Sequence, residues 1–208
     1  MITNPWSRHY RGKRALDLTV VAALALPAAL LGIVCAVAIR LTSRGPVVFR
    51  QERVGRHGET FTLLKFRTMV DGDNPVFPDA RHITRLGAWL RRWSLDELPQ
   101  LVNVARGDMS IVGPRPTLAY QIERYTDRQR RRLSVRPGIT GLAQVEGRNA
   151  LLWADRIELD LDYITRQSAR LDLVLIARSL GTTTAGAGVE GHPADDPLAA
   201  VTTDSSAA

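Results

Sequence analysis

The sequence contains a single cysteine, Cys35, and only four histidines among 208 residues. One cysteine excludes an internal disulfide framework and a zinc site built from cysteines. Four scattered histidines also disfavour a metal site built from histidine. Aromatic residues are few, at 6% of the chain, whereas apolar residues make up 45%, enough to bury a sizeable core. A chain of this length corresponds to one domain, or to one domain with a tail.

Basic residues are absent from the C-terminal segment 182–208, which carries four acidic residues. This segment is rich in glycine, alanine, threonine and proline and has little aliphatic clustering. It cannot bury enough surface to offset its ordering entropy, so we expect it to be disordered. The preceding 181 residues hold all 28 basic residues and 17 acidic ones, a net charge of +11. This excess favours an anionic partner: nucleic acid, phospholipid or a phosphorylated small molecule.

No charged residue occurs between Leu18 and Ile39, and eleven of these 22 residues are leucine, isoleucine or valine. Those eleven favour bilayer insertion by roughly 3 to 6 kcal/mol, and a straight helix of this length spans about 30 Å, enough to cross a bilayer. Pro27 lies near the middle, where it removes a backbone hydrogen bond to Ala23 and favours a kink or a break.

Basic residues flank the apolar segment on both sides. Arg8, Arg11, Lys13 and Arg14 precede it, and five arginines up to Arg56 follow it. Because positively charged flanks tend to stay in the cytoplasm, both ends are expected there, and a re-entrant helix that breaks and returns satisfies this. A kinked spanning helix, a signal peptide and a buried soluble helix are the alternatives.

Two segments after the apolar run, Val47–Arg50 and Thr60–Leu64, are rich in β-branched and aromatic residues and predict a short hairpin. Lys65 and Arg67 follow, and their spacing of two places both side chains on one face of a strand. Either this pair grips a diphosphate, or it forms a solvated basic edge that discourages sheet aggregation.

Residues 85–93 place two leucines and two tryptophans on one helical stripe, with Arg85, Arg91 and Arg92 along its edges. Such a helix either lies in the headgroup region of a membrane or packs on a protein core. The arginine-rich stretch 124–132 is predicted to be a solvated helix face, or to rest on anionic lipid.

Asp96 and Glu97 are adjacent carboxylates among leucines, directly after this basic helix. Carboxylates bind Mg²⁺ and can attack phosphorus as nucleophiles. Alternatively, Ser94 and Glu97 form a capping box at the start of a helix, although Pro99 falls later than the first helical position. Both interpretations stay open on these residues alone.

Arg115 lies between two prolines, which lock the backbone and hold its planar guanidinium in place for a phosphate or a base edge. A proline-rich turn with an incidental arginine is the alternative. Glycines in the segments 138–141 and 147–149 predict a further loop that allows close approach of a ligand.

Seven motifs in order resemble those of the bacterial sugar transferase family, the monotopic phosphoglycosyl transferases. They are KRALD (13–17), GPVVFRQERVG (45–55), KFRTM (65–69), SLDELPQL (94–101), GDMSIVGPRP (107–116), RPGITGLAQVEGRN (136–149) and LDLVLI (171–176). One such motif would be weak, but seven in order across residues 13–180 are highly specific.

The resemblance implies transfer of a sugar-1-phosphate from a UDP-sugar to a membrane polyprenyl phosphate, with Mg²⁺ as cofactor and release of UMP. It identifies Asp96 as the nucleophile that carries the phosphosugar, and Glu97 as a partner that orients the metal or accepts a proton. Both carboxylates would contact the metal. The expected substrate-binding residues are Lys65, Arg67, Arg91, Arg115, Arg148 and Asp172. All of them except Arg67 are assigned by motif position.

The cationic members of this set have different expected roles. Lys65, Arg91 and Arg115 would neutralise phosphate, and Arg148 would do the same or contact the nucleotide. Asp172 either pairs with one of these cations or is a surface acid on the last helix.

The expected fold is mainly α with a small β-hairpin. It comprises a re-entrant N-terminal membrane helix broken at Pro27, interfacial amphipathic helices and a compact cytoplasmic catalytic domain. The expected domains are the basic flank with the membrane helix (1–44), the catalytic domain (45–181) and the tail (182–208). The family often has serine before this proline, whereas here Leu26 precedes it. Another donor or water must then satisfy the backbone carbonyl that the break frees. The chain lacks the additional N-terminal spans of larger members, so it resembles the small catalytic-core form.

The expected location is the bacterial inner membrane, with the catalytic domain on the cytoplasmic face, where it would start a lipid-linked glycan such as an exopolysaccharide. The expected partners are a UDP-sugar, polyprenyl phosphate, membrane phospholipid and a second copy in a homodimer, but not nucleic acid. A competing hypothesis is a basic membrane-anchored nucleic-acid-binding or adaptor protein, which the +11 charge supports. No known nucleic-acid motif and no interleaving of aromatic with basic residues accompany that charge.

Overall fold

The computed structural model describes residues 9–70, 82–147 and 151–185, with side chains described as far as residue 181. Its helices are α1 (Lys13–Thr42), α2 (Arg85–Arg92), α3 (Gln100–Arg106), α4 (Ala119–Glu123), α5 (Asp127–Arg130), α6 (Leu142–Glu146), α7 (Trp153–Arg166) and α8 (Ala169–Ala185). Its strands are β1 (Val48–Val54), β2 (Thr60–Phe66), β3 (Ser110–Val112) and β4 (Gly138–Thr140). Short 3₁₀ turns occur at Arg56–Gly58, Leu95–Glu97 and Arg131–Ser134. The prediction of a mainly helical fold with a small hairpin is confirmed.

Two small sheets accompany the helices. β1 and β2 form the predicted antiparallel hairpin, with Val48 opposite Phe66, and both strands run further than the sequence indicated. β3 and β4 form a parallel pair, with Ser110 opposite Gly138. The sequence predicted only loops in both places, because strands of three residues are too short to show an alternating pattern.

A hydrophobic core joins α3, β3, α7 and α8. Val104, Met109, Ile157 and Leu175 from these elements and their junctions are completely buried. α7 contributes because its apolar residues recur at helical spacing on one face, so the packing of that face stabilises the helix. This core supports the parallel strands, and through them the loop that carries Arg115.

The helix α1 is continuous from Lys13 to Thr42 and contains Pro27 within it. The helical backbone therefore continues through Pro27 without the predicted break, whereas the predicted kink stays a prediction. A proline removes a single backbone hydrogen bond, whereas the remaining residues on both sides still satisfy theirs only by staying helical in apolar surroundings. Within the described part of the chain, α1 is the one helix long and apolar enough to cross a membrane, with a mean hydropathy of 2.7 in its most apolar window.

Both ends of α1 are buried against the rest of the chain, whereas its middle is exposed. Lys13 and Asp17 are buried near its start, and Cys35 and Ile39 near its end. Between them, Leu26 is 70% exposed. An apolar surface of this kind is covered by lipid or by another protein.

A buried polar network holds the first turn of α1. Lys13 donates hydrogen bonds to Asp17 (3.2 Å) and Asp172 (2.7 Å). The hydroxyl groups of Tyr10 and Tyr163 also donate to Asp172, each at 2.8 Å. Asp172 is completely buried on α8. The alternative of a surface acid is therefore wrong, because the first turn of α8 faces Lys13 at the start of α1 and the Tyr10 hydroxyl group just before it.

The same network reaches β3, where Asp17 accepts hydrogen bonds from the Ser110 hydroxyl (2.9 Å) and the Ile111 backbone N–H (3.0 Å).

At the C-terminal end of the chain, α8 includes residues 182–185, the first four of the segment predicted to be a tail. Residues 186–208 lie outside the described part of the structure.

Candidate active site

Asp96 and Glu97 lie on the 3₁₀ turn Leu95–Glu97, between α2 and α3. The preceding Ser94 has a left-handed backbone (φ 54°, ψ 21°), and its side chain makes no capping hydrogen bond. The capping-box interpretation is therefore wrong. A left-handed serine costs about 1–3 kcal/mol, and such strain is found most often at functional sites. Pro99 is compatible with this local structure because the 3₁₀ turn ends before it, and Pro99 then occupies the N-cap position of α3.

Lys65 and Arg115 approach Glu97 from two separate elements. The Lys65 Nζ atom, at the end of β2, lies 2.7 Å from Glu97 Oε1 and 3.9 Å from Asp96 Oδ2. Arg115 Nη2, from the loop after β3, lies 3.3 Å from the same Glu97 oxygen. These are charge-assisted contacts between groups that are far apart in the sequence. The structure thus brings together four of the predicted site residues.

The two carboxyl groups have different electrostatic surroundings. Burial raises the pKa of Asp96, and the Lys65 ammonium group opposes that rise. Burial acts in the same direction on Glu97, but Lys65 and Arg115 outweigh it and lower the pKa of Glu97 to about 2. Glu97 is therefore a fixed anion at neutral pH. Asp96 is the more basic carboxyl group of the two, as a nucleophile requires.

Arg91 lies in the last turn of α2, beside this pair. Its Nε atom donates a hydrogen bond to the Thr68 hydroxyl at 2.9 Å, and its positive charge lowers the pKa of Asp96. The Thr68 carbonyl in turn accepts a hydrogen bond from the Thr84 backbone N–H at 3.0 Å. Gly87 packs against this carbonyl, where a Cβ atom would come within 2.0 Å of the oxygen. Thr68 therefore positions both the start of α2 and Arg91, nearly two turns later.

Arg67 does not join Lys65, contrary to the prediction that the two grip one diphosphate. β2 ends at Phe66, so the alternation of strand side chains does not continue to Arg67. Arg67 is buried, and it donates hydrogen bonds to the carbonyl (2.9 Å) and hydroxyl (2.7 Å) oxygens of Ser43 at the end of α1. It thus satisfies the terminus of the apolar helix.

The remaining predicted site residues are Asp172 and Arg148. Asp172 pairs with Lys13 at the start of α1 rather than with Lys65, Arg91 or Arg115. Arg148 lies outside the described residues.

Two arginines beside the site were missed by the sequence analysis. In the sequence, Arg53 is only one of the charges that follow the apolar segment, yet on β1 burial and then the nearby Arg115 lower its pKa to about 10. The sequence predicts Arg132 on a solvated helix face, but Arg132 is buried and paired with Asp160. The motif GPVVFRQERVG contains Arg53 and is the one signal that pointed to it, whereas nothing in the spacing around Arg132 distinguishes it from its exposed neighbours.

The described residues contain no group of three or more histidine, cysteine, aspartate or glutamate side chains that would form a complete metal site. Asp96 and Glu97 are nevertheless adjacent carboxylates. Mg²⁺ is commonly held by one or two carboxylates together with substrate phosphates and water. The donor set at this turn therefore fits Mg²⁺, though not a metal bound entirely by protein.

Comparison with known proteins gives a match to the family described as "Bacterial sugar transferase" over residues 8–186. The chain belongs to this family. It is 41% identical over 181 residues to the uncharacterized sugar transferase EpsL of Bacillus subtilis, a match that covers 86% of this chain and 90% of the relative. It is 43% identical over 181 residues to the UDP-glucose:undecaprenyl-phosphate glucose-1-phosphate transferase of Caulobacter vibrioides, covering 81% of this chain and 68% of the relative.

Longer relatives also match. The undecaprenyl-phosphate glucose phosphotransferase of Komagataeibacter xylinus is 43% identical over 185 residues, which cover 79% of this chain but only 34% of that protein. The chain therefore spans about one third of this longer relative. Family membership confirms the prediction of a phosphoglycosyl transferase enzyme, and it favours the enzyme over the nucleic-acid-binding or adaptor hypothesis.

Proposed function

We propose that this chain transfers a sugar-1-phosphate from a UDP-sugar to a membrane polyprenyl phosphate through a covalent phosphosugar on Asp96. The observation that carries the proposal is the cluster in which Asp96 and Glu97 meet Lys65 and Arg115. The names of the Caulobacter vibrioides and Komagataeibacter xylinus relatives, which act on undecaprenyl phosphate, support the acceptor.

Electrostatics supports a carboxylate nucleophile at this position. A carboxylate repels a diphosphate, so its attack requires nearby positive charge. Lys65, Arg91 and Arg115 all act on the charge of Asp96. Their positive charge therefore stabilises both the ionised nucleophile and an approaching phosphate.

In the first step, a carboxylate oxygen of Asp96 attacks the phosphorus that bears the sugar. A new bond forms between this oxygen and phosphorus, while the bond from phosphorus to the bridging oxygen of the diphosphate breaks. The electron pair of the broken bond leaves on UMP. Arg115 and Lys65 lie where they can neutralise charge on the phosphoryl oxygens.

In the second step, an oxygen of the polyprenyl phosphate attacks the same phosphorus and the bond to Asp96 breaks. The carboxylate is regenerated, and the product is a polyprenyl diphosphate sugar. Because its pKa is about 2, Glu97 is a weak base and is suited to orienting Lys65 and Arg115 rather than to holding a proton.

Mg²⁺ is part of this proposal, and Asp96 and Glu97 are the residues that would hold it. When bound, it neutralises phosphate charge and orients the diphosphate. A relative named for glucose, from Caulobacter vibrioides, and one named for galactose, from Salmonella typhimurium, both match this chain, so a panel of UDP-sugars is the appropriate set of donors to test.

The contacts of α1 support a re-entrant arrangement on the cytoplasmic face of the bacterial inner membrane. At its start, Arg14 donates hydrogen bonds to the Val104 and Ala105 carbonyls of α3. Near its end, Ile39 packs in a cluster with Phe66 of β2 and Leu90 of α2. A helix whose two ends rest on one globular body has both ends on the same side of a bilayer. Because such a helix must bend to enter the bilayer and return, the proposal includes a kink at Pro27.

The exposed tryptophans on α2 and directly after it are also consistent with contact to phospholipid. Leu90 is completely buried on this helix, whereas Trp89 and Trp93 are 50% and 38% exposed. Tryptophan is enriched at membrane interfaces, where its ring is apolar and its N–H is wet. The homodimer stays a prediction, which light scattering of the purified protein would test.

Trapping of the covalent intermediate tests the proposal. The purified protein is incubated with Mg²⁺ and a panel of UDP-sugars carrying ³²P on the sugar-linked phosphate, without lipid acceptor. Wild-type protein should acquire label, release UMP and lose the label when polyprenyl phosphate is added, whereas Asp96→Asn should acquire none. Asp162→Asn, at an exposed aspartate paired with Arg166, is the matched control and should label like wild type. Turnover by Asp96→Asn at the wild-type rate would refute the covalent mechanism.

A further inference from the structure

The loop that carries Arg115 is held by four consecutive carbonyl groups, and each accepts a hydrogen bond from a different residue. The four bonds are Gly138 N–H to Pro114 O (2.8 Å), Arg132 Nη2 to Arg115 O (3.1 Å), Arg53 Nη1 to Pro116 O (3.2 Å) and Val54 N–H to Thr117 O (2.9 Å). Two donors are backbone groups of neighbouring strands, and the other two are arginine side chains.

The two prolines explain why side chains are needed here. Pro114 and Pro116 have no backbone N–H, so this segment cannot pair with a neighbouring strand through a complete ladder. Pro114, Pro116 and Thr117 are buried, and a buried carbonyl without a donor is costly. Arg132 supplies the donor to the Arg115 carbonyl, and Arg53 supplies the donor to the Pro116 carbonyl.

Arg132 is itself held rigidly. It is buried and paired with Asp160, and its Nη1 atom donates a hydrogen bond to the Tyr125 hydroxyl at 2.6 Å. The Trp153 indole N–H donates to that hydroxyl at 3.1 Å. A side chain fixed in this way transmits little motion to the carbonyl that it contacts.

Arg53 is fixed on the other side of the loop. Its Nε and Nη2 atoms both donate to Gln51 Oε1, at 3.0 Å and 2.6 Å. This fork leaves Nη1 to reach Pro116. The Arg115 side chain, by contrast, is 41% exposed, and it extends to Glu97 from the backbone that Arg53 and Arg132 contact.

We propose that Arg53 and Arg132 are positioning residues that act through Arg115. By holding the carbonyls of residues 115 and 116, they keep the Arg115 guanidinium aimed at Glu97 and at the phosphates of the donor. This inference rests on the proposed function, because it assigns the purpose of the rigid loop to phosphate binding in that site. Preorganised donors need no rearrangement when charge develops on the phosphate.

The clamp consists of the hydrogen bonds from Arg132 to the Arg115 carbonyl and from Arg53 to the Pro116 carbonyl, and each of two variants removes one of these bonds. Arg53→Gln removes one donor, whereas the double variant Arg132→Met/Asp160→Leu removes the other and leaves no unpaired buried acid. Arg136→Gln is the matched control, since Arg136 also donates from Nε to a backbone carbonyl, that of Gly107 at 2.7 Å, outside this loop. Thermal unfolding confirms that each variant is folded.

UMP release provides the first measurement. Each clamp variant should lower kcat/KM about 100-fold in the otherwise wild-type protein. In an Arg115→Ala background, the same changes should cost less than about 3-fold, because the group that they position is already gone. Arg136→Gln should stay close to wild type in both backgrounds. An equal loss with and without Arg115 would overturn the proposal, since it would mean a general structural role.

Hydrogen–deuterium exchange provides a measurement that does not depend on turnover. Backbone amides in residues 113–120 should exchange faster in both clamp variants than in wild type, with Arg136→Gln unchanged. Unaltered exchange there would overturn the clamp even if activity fell. If wild-type protein released no UMP from any UDP-sugar, the proposed function would fail. The exchange rates of residues 113–120 would still show whether Arg53 and Arg132 hold the loop.

Discussion

The Lys65 ammonium group lies 2.7 Å from Glu97, the second carboxylate of the adjacent acidic pair, and 1.2 Å closer to it than to the first. This asymmetry separates the two acids. Glu97 is held as an anion by Lys65 and Arg115, whereas burial raises the pKa of Asp96. One carboxylate is therefore part of a fixed ion-pair network, and the other remains available to react.

The pH dependence of turnover should move when Lys65 is neutralised. Attack requires ionised Asp96, so the rate falls as pH drops through the pKa of Asp96, which burial raises. Lys65 opposes that rise, so Lys65→Met should shift the acidic limb of kcat/KM to higher pH and also lower the plateau. Arg128→Gln, in an exposed pair with Glu158, is the control and should leave the limb in place. An acidic limb at unchanged pH in Lys65→Met would contradict the assignment of Asp96.

The stability of the fold should depend strongly on Lys13. Lys13→Met leaves Asp172 and Asp17 buried without their cation, which typically costs about 3–5 kcal/mol of unfolding free energy. Arg178→Met removes a cation from an exposed pair with Glu146 and should cost at most about 1 kcal/mol. Chemical unfolding in detergent, followed by circular dichroism, measures both. Equal effects of the two substitutions would show that the buried network does not anchor α1.

The addition of a single methyl group to α2, in Gly87→Ala, should strongly lower the activity. In Gly87→Ala the new Cβ atom would meet the Thr68 carbonyl oxygen at 2.0 Å, so α2 must move and carry Arg91 with it. We expect kcat/KM to fall by about 100-fold. Gly181→Ala, on α8, places its Cβ where the described part of the structure has no atom of another element within 4 Å, and as a better helix former it should leave activity unchanged. Wild-type rates in Gly87→Ala would refute the coupling of Thr68 to Arg91.

Cysteine labelling should report the same side of the membrane for both ends of α1. Arg11 and Arg44 are exposed and flank the helix. In a Cys35→Ala background, Arg11→Cys and Arg44→Cys should both react with a membrane-impermeant maleimide only after the cytoplasmic face is opened. Labelling of one of them from the outside would establish a spanning helix and exclude the re-entrant arrangement.

Removal of Mg²⁺ should stop UMP release without unfolding the protein. Two carboxylates alone hold Mg²⁺ weakly, and the diphosphate would complete its coordination. We expect chelation by EDTA to abolish turnover and added Mg²⁺ to restore it, while the circular dichroism spectrum stays unchanged. Undiminished UMP release in excess EDTA would show that the cations of the chain suffice.

The sequence by itself determined the elements that depend on local pattern. The uncharged run from Leu18 to Ile39 is an apolar helix, the β-branched segments form the hairpin, and the apolar stripe of residues 85–92 is a helix. The seven motifs determined the family and singled out Asp96 and Glu97. Periodicity, hydropathy and motif order are properties of neighbouring residues, so they are readable without coordinates.

Only the tertiary structure decided which charges meet. Lys65 and Arg67 are two residues apart, yet one reaches Glu97 and the other reaches Ser43, because β2 ends between them. Arg132 looked solvated beside its arginine neighbours but is buried against Asp160, 28 residues away. Ion pairs and backbone clamps join segments that are distant in the chain. Their partners depend on how the core packs, and no local pattern records that packing.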